Sequence, residues 1–275
     1  MDLQFGLAYG PAFLLFFGAV FFFTVRSRWS LAVALVSVLL CFLAILQTVV
    51  PDPGRGFLYW IPWMVPLLAV VGFLPSRIWK WSALAACIIV GGVFVFKILS
   101  VNPRWSGLEQ WLNGSLIIML PLLLSWYALT RPAKDGEFPA FHFGLFGFVI
   151  LISMITYLLA GTSKLAFILG GLGILCAAGF LASIIKRSRS DWSTVGFFLI
   201  GTAWMSTVYV HYFTEKLPVV VTAFLLFSPG LVSLARISDR SLKWKILLPT
   251  ALVILGASAA GYVFWLESGT DEYGY

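Results

Sequence analysis

Two histidines, His142 and His211, are the side chains of this sequence best suited to metal, haem or proton chemistry. His142 begins the sixth apolar run and His211 ends the eighth, so the predicted topology puts them at opposite membrane faces. The hydrocarbon core between two such faces is about 30 Å thick, and one metal or haem cannot reach both rings. We therefore predict no metal site, no cofactor and no catalytic residue. His211 alone has two interpretations: a polar interior or rim residue bonded to a neighbouring helix, or a ligand- or proton-binding residue.

Carboxylates and thiols form no further reactive group. No Asp or Glu lies inside a predicted span, which argues against a cation-coupled pump that carries its ion on intramembrane carboxylates. The charged residues at the predicted rims have no spacing typical of a mechanism, and solvated loop charges explain them: Asp135, Glu137, Glu109, Glu215 and Lys216. Three cysteines lie within apolar runs and are predicted to be buried, inert thiols: Cys41, Cys87 and Cys176.

The predicted span 194–213 is long enough to cross a bilayer, yet its second half is polar. At 100° per residue, the polar side chains fall on two adjacent stripes, Thr202, Ser206 and Tyr209 on one and Trp204, Thr207 and His211 on the other. Polar groups at membrane depth are costly unless they meet other helices or a wet cavity. We therefore predict that this span is the interior helix of a bundle.

Two other spans carry helix-weakening residues near their middles. Gly91 and Gly92 lie in the fourth span, and Ser228, Pro229 and Gly230 lie in the ninth. Breaks at both places would expose backbone dipoles to a solute near the midplane, as in many transporters. Glycine that serves only helix packing is the alternative. The predicted solute-binding set combines the two breaks with the polar span: Gly91, Gly92, Trp204, Ser206, Tyr209, His211, Ser228, Pro229 and Gly230.

The elements that position these residues follow from composition. The chain has 275 residues, of which 61% are hydrophobic and 11% charged, against about 25% charged in average soluble domains. Its mean hydropathy is +0.99. This predicts an all-α polytopic membrane protein, a single integral membrane domain over 1–275, with no separate soluble module. About ten spans are expected, up to 25 and over 30–50, 56–74, 82–101, 112–130, 140–160, 165–185, 194–213, 219–237 and 246–265.

Loop charges give the predicted orientation. Alternate assignment of the loops places thirteen of the 18 Lys and Arg residues on one side, which the positive-inside rule makes cytoplasmic. Both termini are then on the non-cytoplasmic side of a membrane expected to be the bacterial inner membrane. Ten spans divide into halves 1–130 and 140–265 around the charged linker 131–139, and the parity fits a 5+5 inverted repeat. No basic run reaches five residues, so we predict no nucleic-acid partner.

Three functions are compatible with these features. The first is a permease for a small apolar or amphipathic solute, with the midplane breaks as its binding site. The alternative is a non-catalytic subunit or scaffold of a larger membrane complex, bound through aromatic and small-residue faces to other membrane subunits. A third option is an integral enzyme that acts on a lipid-linked substrate at the outer rim, around Trp105, Glu109 and His211. In each case the lipid bilayer is a partner.

Overall fold

The residues that the structure describes are helical almost throughout, and no β-strand occurs among them. The structure is a computed structural model. It describes residues 2–25, 27–46, 57–101, 108–130, 139–187, 191–214, 217–234, 247, 251–252, 254–256, 258–259, 261–263 and 265–266. The predicted all-α class is thereby confirmed.

Within the described part of the chain, nine α-helices have defined bounds. They are α1 (Asp2–Phe23), α2 (Arg28–Leu46), α3 (Ile61–Phe73), α4 (Ser76–Val101), α5 (Leu108–Thr130), α6 (Pro139–Leu159), α7 (Ser163–Lys186), α8 (Ser193–Thr214) and α9 (Val219–Leu234). A short 3-10 turn, Phe57–Trp60, leads into α3. Further helical residues recur between 251 and 266.

Five of the described helices are long and apolar enough to cross a membrane: Arg28–Leu46, Ile78–Ile98, Pro139–Leu159, Ser163–Ile185 and Ser193–Tyr212. The chain thus has the helices of a multi-pass, membrane-embedded protein. The other predicted spans contain shorter apolar helices within the described residues, so the expected count of ten spans stays a prediction.

Proline explains one of these short helices. α3 ends at Phe73 because Pro75 forces the preceding residue, Leu74, into an extended conformation with ψ of 154°. The sidedness of the termini and the 5+5 repeat stay predictions, and the linker 131–139 lies outside the described residues except for Pro139.

The helices pack as two groups that meet at α8, where α2 packs on α3 and where α6 packs on α9. One group is α1, α2, α6 and α7, in which α6 packs most extensively on α7 and α1 packs on both α2 and α7. The other group is α3, α4, α5 and α9, in which α5 packs on both α4 and α9. α8 packs on α3, α5 and α9 and also reaches α2 and α7. The interior position predicted for the polar span is confirmed.

Candidate functional site

The polar side chains of α8 lie in the packed centre of the molecule. Thr202 and Ser206 are both fully buried, and Thr207 is nearly so. Each hydroxyl donates to the carbonyl one turn earlier on its own helix: Thr202 to Phe198 at 2.9 Å, Ser206 to Thr202 at 3.1 Å and Thr207 to Ala203 at 3.0 Å. These local bonds satisfy the hydroxyl donors without water, which is how Ser and Thr are tolerated within membrane helices.

Trp204 connects α8 to α5. Its indole Nε1 donates a hydrogen bond of 2.9 Å to the carbonyl oxygen of Ile118. The Phe94 ring of α4 meets the indole edge-on at a centroid distance of 5.3 Å, and Phe57 packs on Phe94 at 4.8 Å. Trp204 is only 2% exposed, so both its ring and its polar atom are engaged inside the bundle.

The α5 turn that carries Pro121 is the place where the predicted site residues converge. A Cβ on Gly91 would stand 2.1 Å from the Met119 sulfur, and a Cβ on Gly230 would stand 3.2 Å from a Leu124 methyl group. Together with the Trp204 bond to Ile118, these contacts bring α4, α8 and α9 onto one stretch of α5. α5 lies between α4 and α9 and packs extensively on both.

The two adjacent glycines of α4 have different surroundings. Gly91 is buried against Met119, whereas Gly92 is exposed and a Cβ there would have no atom within 4 Å. α4 runs without interruption through both positions. The expected break at these glycines is therefore wrong, and Gly91 instead provides room for a neighbouring side chain.

The second expected break is also absent. α9 is helical through Ser228, Pro229 and Gly230, and all three are buried. The Ser228 hydroxyl donates to the Phe224 carbonyl at 2.6 Å, and Gly230 lies against the side chains of Leu124 and Ser125. Proline deletes one backbone donor, but close packing on a neighbouring helix lets a membrane helix continue through it.

His211 and Tyr209 lie at the end of α8. The Nδ1 atom of His211 is 2.7 Å from the Leu217 carbonyl oxygen, and because a carbonyl only accepts, Nδ1 carries the hydrogen. The imidazole also meets the Tyr212 ring edge-on at 4.5 Å. This bond ties the end of α8 to the segment that leads into α9, in line with the rim-residue interpretation. Tyr209 is half-buried.

His142 lies in a different environment. Its ring is buried at the start of α6 and stacks on Trp192, which precedes α8, at 5.2 Å with an interplanar angle of 5°. His211 belongs to the last turn of α8, so the two histidines lie at opposite ends of that helix. Within the part of the chain that is described, His, Cys, Asp and Glu form no group of three or more that could hold a metal.

Two features of the centre were not predicted from sequence. The Tyr157 hydroxyl of α6 donates to the Thr207 hydroxyl of α8, and both side chains are buried. A tyrosine within the last turn of a predicted span was the available signal for such a pair, since a buried hydroxyl requires a partner. The role of α5 was the other feature, and Pro121 was its signal.

Chemically, this arrangement offers aromatic surface and hydroxyls that are engaged in hydrogen bonds. A cavity of about 370 Å³ lies elsewhere, on the α6–α7 pair, with an apolar lining that includes Gly147, Ile150 and Gly173. The nine residues predicted to bind a solute converge only in part, and that role stays a prediction. Comparison of the chain with protein-family models, with curated proteins and with solved structures gave no match.

Proposed function

We propose that this protein is a non-catalytic helical subunit, or scaffold, of a larger membrane complex. One observation carries the proposal: the hydroxyls of Thr202, Ser206 and Thr207 on the central helix α8 are engaged with carbonyls of their own helix, and Thr207 also with Tyr157, inside a closely packed core. A passage for a solute needs side chains that can face it. These three hydroxyls are instead engaged in bonds within the bundle.

Continuity of α4 and α9 supports the same proposal. The permease hypothesis drew its binding site from two unwound segments, and both segments are regular helix. Gly91 and Gly230 pack against α5 side chains, which is the role of small residues in membrane helix association.

The outward face of α4 is our candidate for the partner-binding surface. It carries large exposed apolar side chains, among them Trp81, Ile89 and Phe96, beside the open position Gly92. Gly92 has no described atom near the position where a Cβ would stand, so it has no packing role among the described residues, and as a glycine it weakens the helix. A partner helix with a protruding side chain at that level would use the space.

The permease remains our second candidate because of two prolines. Pro121 and Pro229 lie on the adjacent helices α5 and α9, and each removes the donor that would bond the carbonyl four residues earlier. Carbonyls released in this way line solute and ion sites in transporters. The third option, an enzyme at the outer rim, needs Trp105 and Glu109, whose side chains lie outside the described residues.

Water accessibility separates the two candidates without knowledge of a solute. Cys41, Cys87 and Cys176 would first be replaced by Ala, and single cysteines would be placed at Thr202, at Ser206 and, as an exposed control, at Arg187. Membranes would be treated from each side with a charged methanethiosulfonate reagent. We expect labelling at 187 only. Labelling at 202 or 206 from either side would contradict the subunit proposal and support a permease.

A photo-cross-linking experiment tests the partner directly. A benzophenone amino acid at Ile89 on the outward face of α4 is expected to give one discrete protein adduct in native membranes. The matched position is Ile185 on α7, which is 61% exposed against 58% for Ile89. Adducts with lipid alone at Ile89, or the same protein adduct at both positions, would count against this face as the binding surface.

A further inference from the structure

A cluster of exposed cations lies at one end of the α1–α2–α7 group. It consists of Arg28, the first residue of α2, together with Lys186 and Arg187 at the end of α7. We call these three residues the basic rim. Exposed cations with described side chains also occur elsewhere, at Lys80, Lys97 and Lys164, but these belong to other helices or to the other end of α7.

Hydrogen bonds fix the positions from which the basic rim extends. The Lys186 ammonium donates to the Phe21 carbonyl oxygen at 2.7 Å, which holds the end of α7 against the end of α1. Arg187 follows in a left-handed conformation with φ of 49°, and its backbone N–H bonds to the carbonyls of Ile184 and Ser183. The turn from α1 to α2 is tied by Ser30, whose hydroxyl lies 2.6 Å from the Thr24 carbonyl oxygen.

Large apolar side chains are exposed at the same end. Phe22 is 75% exposed, Phe23 53% and Trp29 65%, and the Phe23 and Trp29 rings are 6.3 Å apart. Aromatic rings at the end of a membrane helix are typical of the depth where lipid headgroups begin. The surface beside the basic rim is therefore suited to acyl chains and the rim itself to negative charge.

Among the described side chains, one carboxylate is present beside these cations. Asp191 is the only acid among the residues whose side chains are described, and its carboxylate accepts the backbone N–H of Ser193 at 2.8 Å, at the start of α8. Lys186 donates one of its three N–H groups to the Phe21 carbonyl oxygen, and its charge offsets the negative end of the α1 dipole. The other two N–H groups, and both guanidinium groups, belong to exposed side chains.

We infer that the basic rim binds the phosphate headgroup of an anionic phospholipid whose acyl chains lie along the exposed faces of α1 and α2. Guanidinium groups match phosphate geometry, and juxtamembrane cations attract anionic lipid. The inference rests on the membrane-embedded character of the chain and is independent of whether the protein is a subunit or a permease. Each cation removed should weaken binding of the lipid about fivefold.

The test is native mass spectrometry of the full chain in a neutral detergent, titrated with phosphatidylglycerol or phosphatidylcholine. Arg28→Gln with Arg187→Gln leaves the Lys186 bond to Phe21 intact and removes two charges. The matched control is Lys80→Gln with Lys164→Gln, which has the same net charge and lies outside the rim. We expect the unaltered chain to bind phosphatidylglycerol more tightly than phosphatidylcholine. Phosphatidylglycerol binding should be about 25-fold weaker in the rim variant and unchanged in the control.

Three outcomes would overturn the inference. These are equal binding of the two lipids by the unaltered chain, equal loss in the rim and control variants, and full displacement of bound phosphatidylglycerol by inorganic phosphate at low millimolar concentration. The last would mean that the rim recognises free phosphate and not a lipid. A second variant, Arg28→Gln alone, serves if the first fails to fold, and it should lose about fivefold in phosphatidylglycerol binding.

Discussion

At the scale of single residues, Trp204 holds the central helix to α5 with one buried hydrogen bond, from its Nε1 to the Ile118 carbonyl oxygen. The bond lies within one turn of Pro121, where the α5 backbone already lacks a donor. The Trp204 side chain of α8 thus stabilises the α5 backbone close to the place where α5 lacks one of its own hydrogen bonds.

Replacement of Trp204 by Phe should lower the unfolding free energy by about 0.5 to 1.5 kcal/mol, because the bond is lost while most of the ring packing is kept. The measurement is reversible denaturation in mixed micelles. Trp81→Phe is the matched control, since Trp81 is 72% exposed, and it should change stability by much less. Equal effects of the two variants would show that the hydrogen bond contributes nothing measurable.

The Tyr157 hydroxyl gives a second prediction at this scale. Tyr157→Phe removes its bond to Thr207 and should cost about 0.5 to 1.5 kcal/mol in the same assay, as is typical of a buried hydrogen bond. Tyr262→Phe is the control at a 45% exposed position. In the Tyr157→Phe variant Thr207 keeps its bond to Ala203. Because Tyr157→Phe and Thr207→Val each remove the same Tyr157–Thr207 bond, the double change should cost less than the sum of the two single changes.

At the scale of elements, Gly91 and Gly92 allow a comparison between neighbouring positions of one helix. Gly91→Leu places atoms where Met119 packs and should destabilise the protein by about 1 to 3 kcal/mol. Gly92→Leu enters open space and should be neutral or stabilising by up to about 1 kcal/mol, because Leu favours helix more than Gly does. Thermal unfolding in detergent tests this order. The reverse order would contradict the described orientation of α4.

The sequence predicted where each helix lies along the chain better than it predicted which helices pack together. The span expected over 194–213 is α8, Ser193–Thr214, and the span expected over 140–160 is α6, Pro139–Leu159. Apolar runs and their polar interruptions are local properties, so they can be read along the chain. The interior position of α8 was predictable for a related reason, since a polar stripe cannot face lipid.

Contacts between helices could not be predicted in the same way. α5 has no polar stripe, and Pro121, its one local signal, did not identify it as the helix that receives Gly91, Trp204 and Gly230. Glycine and proline in α4 and α9 suggested breaks because they weaken a helix in water. Inside a bundle, packing against α5 outweighs that local preference, and the helices continue.

At the scale of the whole molecule, the predicted orientation leads to a test of sidedness. Single cysteines at Asp135 and Arg189 should react with an impermeant thiol reagent only from the cytoplasmic side, and those at Glu215 and Glu272 only from the other side. Right-side-out and inverted vesicles supply the two arms, and detergent-solubilised protein is the control for full reactivity. A cytoplasmic 272 would overturn the ten-span arrangement and the inverted repeat with it.

The burial of α8 also has a consequence for the order of synthesis. Most of the helices that surround it, α2, α3, α4, α5 and α7, precede it in the chain, and α9 follows. The polar half of α8 is disfavoured in lipid, but α8 can leave the translocon and pack directly against helices that are already inserted. We expect a chain that ends after 214 to integrate α8, and the isolated segment 193–214, fused to a reporter, to integrate far less efficiently. Biogenesis of this protein would then depend on the order of its helices as much as on their hydrophobicity.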